Sequence, residues 1–273
     1  MALLTEKQYH TDSGTIFYRV NTFLPDRKTL VLLHGIGADG RMMIPQARMF
    51  NSDYNLFVWD APAHGRSRPF SLTFSYMDIA KWLHEILESE GVNNPVLIGH
   101  SMGGYYAQCF MERYPGEAAG FVSIDSGPMQ KHYMTEAELW SLEHTELMYR
   151  AFPWSLLLNL SARGNATSEY GRRVCRKIFE VYGKDELCRL LAYGFRQVAK
   201  AIREDLSYQI DCPCVLICGK KDHLGVVKSK NRLWARETGY PIHWIEGAGH
   251  CSNLDAPDEV NALIRAFVAE LHI

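Results

Sequence analysis

Ser101 has the setting that most directly suggests chemistry. It lies in Val96-Leu97-Ile98-Gly99-His100-Ser101-Met102-Gly103-Gly104-Tyr105-Tyr106-Ala107. Gly99-x-Ser101-x-Gly103 has the spacing of a nucleophile elbow, where a strand turns at once into a helix and lifts the serine clear of the sheet edge. That turn strains the serine backbone, and glycines on both sides leave room for the crowding. Glycine and serine are common, so the spacing alone is a weak signal. The apolar run Pro95–Ile98 before it and the helical pattern from about Met102 to Arg113 after it make the match specific. A helix starting there aims free N–H groups at an anion formed beside Ser101. The plain alternative is that Ser101 only caps that helix.

A serine hydroxyl is a poor nucleophile until a base removes its proton. His250, in Glu246-Gly247-Ala248-Gly249-His250, follows a short apolar run and is the candidate base. Two carboxylates compete to orient it. Asp222 follows the run Val215–Cys218, and Asp125 follows Gly120–Ile124. Asp222 also fits the N-cap of the helix after it. Triads are recognised by geometry and role, so position along the chain does not choose between the two.

The elements that must place these residues alternate between strand and helix. Lys7 to Thr22 alternates polar and apolar residues around Asp12-Ser13-Gly14, an edge hairpin pattern. Leu30–Leu33 is a continuous apolar run, as in a central parallel strand, and ends in His34-Gly35-Ile36-Gly37-Ala38. A helix over Met42–Phe50, a strand over Leu56–Trp59 and a helix over Ser75–Ser89 follow, then the elbow strand and the strand Gly120–Ile124. From Met129 to Leu206 no run looks like a buried strand. There, Thr135-x-x-Glu138 is a capping box. It opens a helix with Trp140, His144, Leu147 and Ala151 along one face. Further helices are expected over Pro153–Leu160, Ser168–Tyr182 and Asp185–Glu204. Alternation resumes with strand Val215–Cys218, helix Val226–Thr238, strand Ile242–Ile245 and helix Pro257–Leu271. The expected fold class is α/β, a mostly parallel central sheet with helices on both faces and an inserted all-helical cap. The core would span 1–128 and 207–273, and the cap 129–206. Ligands in such sheets bind beyond the carboxyl ends of the strands, where His34, Asp60, Ser101, Asp125, Asp222 and His250 all fall.

On these residues the chain resembles the α/β-hydrolase fold superfamily across nearly its whole length. The markers are His34-Gly35, Asp60-x-x-x-x-Gly65-x-Ser67, Gly99-His100-Ser101-Met102-Gly103-Gly104, Gly219-x-x-Asp222 and Gly249-His250. Ala63 stands where the family often has glycine, which affects loop shape. The resemblance implies a triad in the chain order Ser101, Asp222, His250. It favours Asp222 over Asp125, because Gly-x-x-Asp after the later strand is the family's commoner arrangement. It implies oxyanion donors at the backbone N–H groups of Ile36 and Met102, and a cap that roofs the strand ends. His34, Met129 and Trp154 are the substrate-pocket candidates. Trp140, Phe152, Leu157 and Leu158 suit either a pocket wall or the cap's own core. His64, His100, His223 and Cys251 flank the site and read as structural. The cap arginines, among them Arg172, Arg173, Arg176, Arg189, Arg196 and Arg203, read as solvated helix faces.

Composition narrows the remaining classes. A chain of 273 residues holds one large α/β domain with an insertion. A net charge of −2 gives no electrostatic reason for nucleic acid or an anionic membrane as partner. Met1–Lys7 lacks the apolar stretch of a signal peptide, and no segment has transmembrane length, so the expected location is cytoplasmic. Seven cysteines, an odd number without C-x-x-C spacing, read as reduced and structural. No cluster has metal-ligand spacing and no G-x-G-x-x-G follows a strand, so neither metal nor organic cofactor is expected. The function expected is a serine hydrolase cleaving a small carboxylic ester or related acyl compound through an acyl-enzyme on Ser101. The expected partner is that small-molecule acyl substrate, and nothing in the residues points to an oligomeric state. The alternatives are a carbon–carbon bond hydrolase or lyase on the same scaffold, or a non-catalytic ligand-binding member. Relatives with an aspartate nucleophile are disfavoured, since serine occupies the elbow.

Overall fold

Strands β1 (Thr5–Thr11) and β2 (Gly14–Val20) form an antiparallel hairpin at one edge of a single eight-stranded sheet. The structure is a computed structural model and describes residues 4–205 and 209–272. The other strands are β3 (Thr29–Leu33), β4 (Asn55–Asp60), β5 (Val96–His100), β6 (Gly120–Ile124), β7 (Cys214–Gly219) and β8 (Ile242–Ile245). Their order is β1-β2-β4-β3-β5-β6-β7-β8. β2 meets β4 antiparallel, and every neighbouring pair from β4 to β8 is parallel. Every residue of β3 to β7 is buried, as expected of strands covered on both faces.

Helices α1 (Ile44–Phe50), α2 (Tyr76–Ser89) and α3 (Met102–Arg113) connect the first strands. α2 opens on a capping box between Ser75 and Asp78 and buries Ile79, Leu83, Ile86 and Leu87. After β6 come a short 3-10 turn at Lys131–Tyr133 and then α4 (Glu136–Glu143), α5 (Thr145–Ala151), α6 (Trp154–Asn165), α7 (Glu169–Glu180) and α8 (Lys184–Glu204). Among the described residues, this insertion contains no strand. The chain then returns to the sheet through β7, α9 (Val227–Thr238), β8, the one-turn α10 (Ser252–Asp255) and α11 (Pro257–Glu270). The expected second boundary, at 206 and 207, lies outside the described residues, as do Met1–Leu3. Among the described residues, no helix is long and apolar enough to cross a membrane. All seven cysteines are free.

One expected helix is corrected. The stripe Trp140, His144, Leu147, Ala151 does not face the interior. Trp140 is 60% exposed and Leu147 is 80% exposed. The helix breaks at His144, whose backbone leaves the helical region (φ −111°, ψ 21°). Trp140 stacks on the His144 ring instead, with centroids 4.2 Å apart. The inward face is Leu139, Leu142, Glu146 and Tyr149, which packs toward α8. Its spacings are three, four and three, so helical periodicity fits both stripes and does not say which is inside.

Candidate active site

The elbow between β5 and α3 is built by close approach. Ser101 has φ 50° and ψ −116°, in the positive-φ range a residue with a Cβ seldom adopts. A Cβ on Gly103 would fall 2.2 Å from the Leu33 carbonyl oxygen, and one on Gly99 would fall 2.5 Å from that of Gly103. Only glycine fits at either place. The turn is fastened on both sides. The Ser101 N–H donates to the Ile124 carbonyl at 2.8 Å, and the Ser126 hydroxyl donates to the Ser101 carbonyl at 2.6 Å.

Three side chains from three loops meet here. Ser101 Oγ lies 2.8 Å from His250 Nε2, and His250 Nδ1 lies 2.9 Å from Asp222 Oδ2. An ionised Asp222 only accepts, so Nδ1 carries the imidazole proton and Nε2 presents its lone pair to the serine hydroxyl. Asp222 Oδ1 accepts the Leu224 N–H at 2.8 Å, which fixes the carboxylate. His250 and Asp222 are buried. Burial alone lowers the His250 pKa, but the Asp222 charge and hydrogen bond outweigh it and hold it above the ordinary histidine value. Burial likewise raises Asp222, and the His250 charge and hydrogen bond bring it below the usual carboxylate range.

Asp125 is elsewhere engaged. Its Oδ1 accepts the Gly219 N–H at 2.7 Å, and its Oδ2 accepts the Ser252 N–H at 2.8 Å and hydroxyl at 2.6 Å. The carboxylate hydrogen-bonded to His250 is therefore Asp222. Asp125, Cys218 and Asp222 bring ligand-type atoms within 4.8 Å of one another. Both carboxylates are already committed to protein donors, and burial pushes the Cys218 thiol up, so this trio is a poor metal cradle.

Met102 opens α3, and Ile36 lies in the loop after β3. Among the described residues neither backbone N–H has an intramolecular acceptor. The loop lies against the serine: a Cβ on Gly35 would sit 3.2 Å from Ser101 Cβ. Two free donors thus flank the serine loop.

The pocket candidates separate. His34 is fully buried, with Nδ1–H donating to the Gly35 carbonyl at 2.8 Å and Nε2 accepting the Ala61 N–H at 2.9 Å. Both His34 ring nitrogens are thus spent on holding loops. Met129 is buried with its sulfur 3.4 Å from Cys109 Sγ. Trp154 is half-buried at the start of α6. His64 and His100 also spend a ring N–H on backbone, at Pro62 and His250. Sequence reading gave no weight to Gly194 in α8, where a Cβ would lie 2.1 Å from Ile36 Cδ1. A lone glycine inside a helical pattern was the available signal.

The model of the alpha/beta hydrolase family matches residues 30–263. The chain belongs to the α/β-hydrolase family. It is similar to (E)-2-((N-methylformamido)methylene)succinate hydrolase of Acinetobacter baylyi, 22% identical over 250 residues, 88% of this chain and 89% of that one. Among solved structures, a thermophilic esterase from Thermogutta terrifontis superposes with TM-score 0.79 at 18% identity, covering 100% of both chains. The Cif epoxide hydrolase from Acinetobacter nosocomialis superposes with TM-score 0.81 at 15% identity, covering 97% of this chain and 89% of that one. At such identities the solved structures share the fold. The three proteins named here are hydrolases by name.

Proposed function

We propose that this α/β-hydrolase acts through an acyl-enzyme on Ser101 and cleaves a small carboxylic ester or related acyl compound. The observation that carries the reading is the unbroken chain of hydrogen bonds from Ser101 Oγ through His250 to Asp222. The relatives' names span a succinate-derivative hydrolase, an esterase and an epoxide hydrolase, so the reading rests on the site and not on kinship.

The steps follow from the geometry. His250 Nε2 takes the hydroxyl proton as Ser101 Oγ attacks the acyl carbon. Asp222 holds the imidazole tautomer and stabilises the imidazolium. The Ile36 and Met102 amides receive the oxyanion, each worth about 3–4 kcal/mol of transition-state stabilisation. His250 then returns its proton to the leaving group. Water, activated by the same nitrogen, releases the acid. The helical insertion serves as the cap that shapes the acyl pocket.

A fluorophosphonate probe and a panel of p-nitrophenyl esters of increasing chain length test this. The wild type is expected to be labelled once, at Ser101, and to release a burst of nitrophenol where deacylation is slow. Ser101→Ala is expected to lose both. Labelling that persists in Ser101→Ala overturns the nucleophile assignment, and no burst, adduct or turnover across the panel overturns the reading and moves carbon–carbon bond hydrolysis or lyase chemistry ahead.

A further inference from the structure

Asp125 is a fully buried carboxylate that the proposed reaction does not use. It stands at the end of β6 with φ 46°, a left-handed conformation that costs a residue with a Cβ energy unless its surroundings hold it. What holds it is a set of hydrogen bonds to two different loops. Gly219, whose N–H it accepts, opens the turn Gly219-Lys220-Lys221-Asp222. Ser252, whose N–H and hydroxyl it accepts, follows His250 by two residues. The Asp125 N–H in turn donates to the Ile217 carbonyl of β7 at 2.8 Å. One side chain therefore ties the loop that carries Asp222 to the loop that carries His250.

We propose that Asp125 is a positioning residue of the hydrolytic site, a carboxylate brace that fixes the acid loop against the histidine loop and so sets His250 between Asp222 and Ser101. The inference rests on the proposed reading of Ser101 and His250 as nucleophile and base. A misplacement of about 1 Å is enough to cost roughly a hundred-fold in rate, so a brace at this point controls chemistry without touching substrate.

The brace is also an ionisable carboxylate, which separates it from a neutral spacer. Burial and the nearby Asp222 charge push the Asp125 pKa up to about 7, against the pull of His250, Ser252 and Gly219. Ionised, it adds to Asp222 in raising His250. The other groups around His250 contribute little charge near neutral pH. His100, whose ring centroid is 5.3 Å from that of His250, is held neutral by burial, which lowers its pKa to about 3. Cys251, in contact with Cys175, and Cys218 have their pKa values pushed up and stay as thiols.

The test is the rate at which a fluorophosphonate labels Ser101 as a function of pH, in wild type, Asp125→Asn and Ser252→Ala, with the His250 ring titration followed by NMR. Asparagine keeps the shape but loses an acceptor and the charge. Asp125→Asn is expected to slow labelling roughly ten-fold. It is also expected to move the acid limb and the His250 midpoint about half a pH unit or more downward. Ser252→Ala breaks one arm of the brace with the charge intact, so labelling slows several-fold and the midpoint stays. Labelling by Asp125→Asn at the wild-type rate overturns the proposal. So does slowed labelling with an unmoved His250 midpoint, since that is what general loosening produces. Absence of labelling in the wild type overturns the proposed function instead. The NMR midpoint then still decides whether Asp125 acts on His250.

Discussion

Asp222 matters through one proton. His250 Nδ1–H points at Asp222 Oδ2, and that bond keeps the lone pair of Nε2 on the serine side. Asparagine at 222 can present its amide N–H to the ring and favour the wrong tautomer, so Asp222→Asn is expected to lower kcat by about 10⁴ in ester turnover. A loss under ten-fold would move the acid elsewhere. The pH profile gives a second reading. His250 must be neutral to act as base, and its pKa is held above the ordinary value. Activity is therefore lost as pH falls through that raised pKa. Removing the Asp222 charge leaves burial in control, so residual activity in Asp222→Asn is expected to have its acid limb at lower pH. Ser101, His250 and Asp222 were legible because each ends an apolar run that must be a strand. Between Asp222 and Asp125 the strand pattern by itself did not choose, and the family resemblance favoured Asp222. β6 and β7 are neighbours, and both carboxylates stand just beyond their ends. Which one turns toward His250 depends on side-chain direction, which no one-dimensional pattern carries.

At the scale of elements, α8 is the piece of the insertion laid on the loop after β3. A Cβ on Gly37 would lie 3.2 Å from Leu187 and 3.3 Å from Leu191, both of α8. Gly194, two turns on from Leu187, lets the helix backbone press on Ile36. The Tyr76 hydroxyl holds it there by donating to the Gly194 carbonyl at 3.0 Å. Alanine is better than glycine in a helix by about 0.8–1.0 kcal/mol. At 194 that gain is set against a Cβ 2.1 Å from Ile36 Cδ1, and overpacking costs about 1–3 kcal/mol. Gly194→Ala is expected to be neutral to destabilising in urea unfolding. Ile36→Val removes Cδ1 and leaves the backbone N–H in place. In that background Gly194→Ala is expected to stabilise, giving a coupling of about 1 kcal/mol or more in the double-mutant cycle. Additive effects would mean α8 does not rest on Ile36. Helix α8 itself was legible from its long period, and its start at Lys184 falls one residue from expectation. The inward face of α4 and α5 was misread because the two candidate stripes are offset by only one or two positions. The sequence holds no sign of the break at His144.

For the whole molecule, the question is how the insertion and the sheet are joined. Among the described residues the seam runs beside His250. The Cys251 N–H donates to the Asn165 carbonyl at 2.7 Å, at the end of α6. Asp255, the last residue of α10, accepts the N–H groups of Thr167 and Ser168 at 2.9 and 2.8 Å and the Thr167 hydroxyl at 2.9 Å. The same carboxylate accepts the Gly249 N–H at 2.9 Å. Asp255 thus pins the start of α7 and the residue before His250 to one point. The broad plan, strands alternating with helices and interrupted by a helical block, was legible because buried parallel strands leave long apolar runs. This seam was not legible, since its members lie some 80 to 90 residues apart and Asp255 reads as one acidic residue before Pro257. The arrangement has a mechanical consequence. A loosened insertion pulls on the histidine loop, so stability and turnover should fail together. Asp255→Ala leaves partly buried N–H groups without an acceptor, at about 1–3 kcal/mol for each group that finds no water. At roughly 2–4 °C per kcal/mol, the expected fall in Tm is several degrees. The expected kinetic change is a lower kcat on even the smallest ester, because the defect is in His250 placement and not in the acyl pocket. Thr167→Val removes only the hydroxyl arm and is expected to give a smaller loss of both. Limited proteolysis gives the structural readout, with faster cleavage inside the insertion of Asp255→Ala than of wild type. If Asp255→Ala lowers Tm but leaves kcat on the smallest ester unchanged, the seam holds the insertion without reaching His250, and the coupling argued here is wrong.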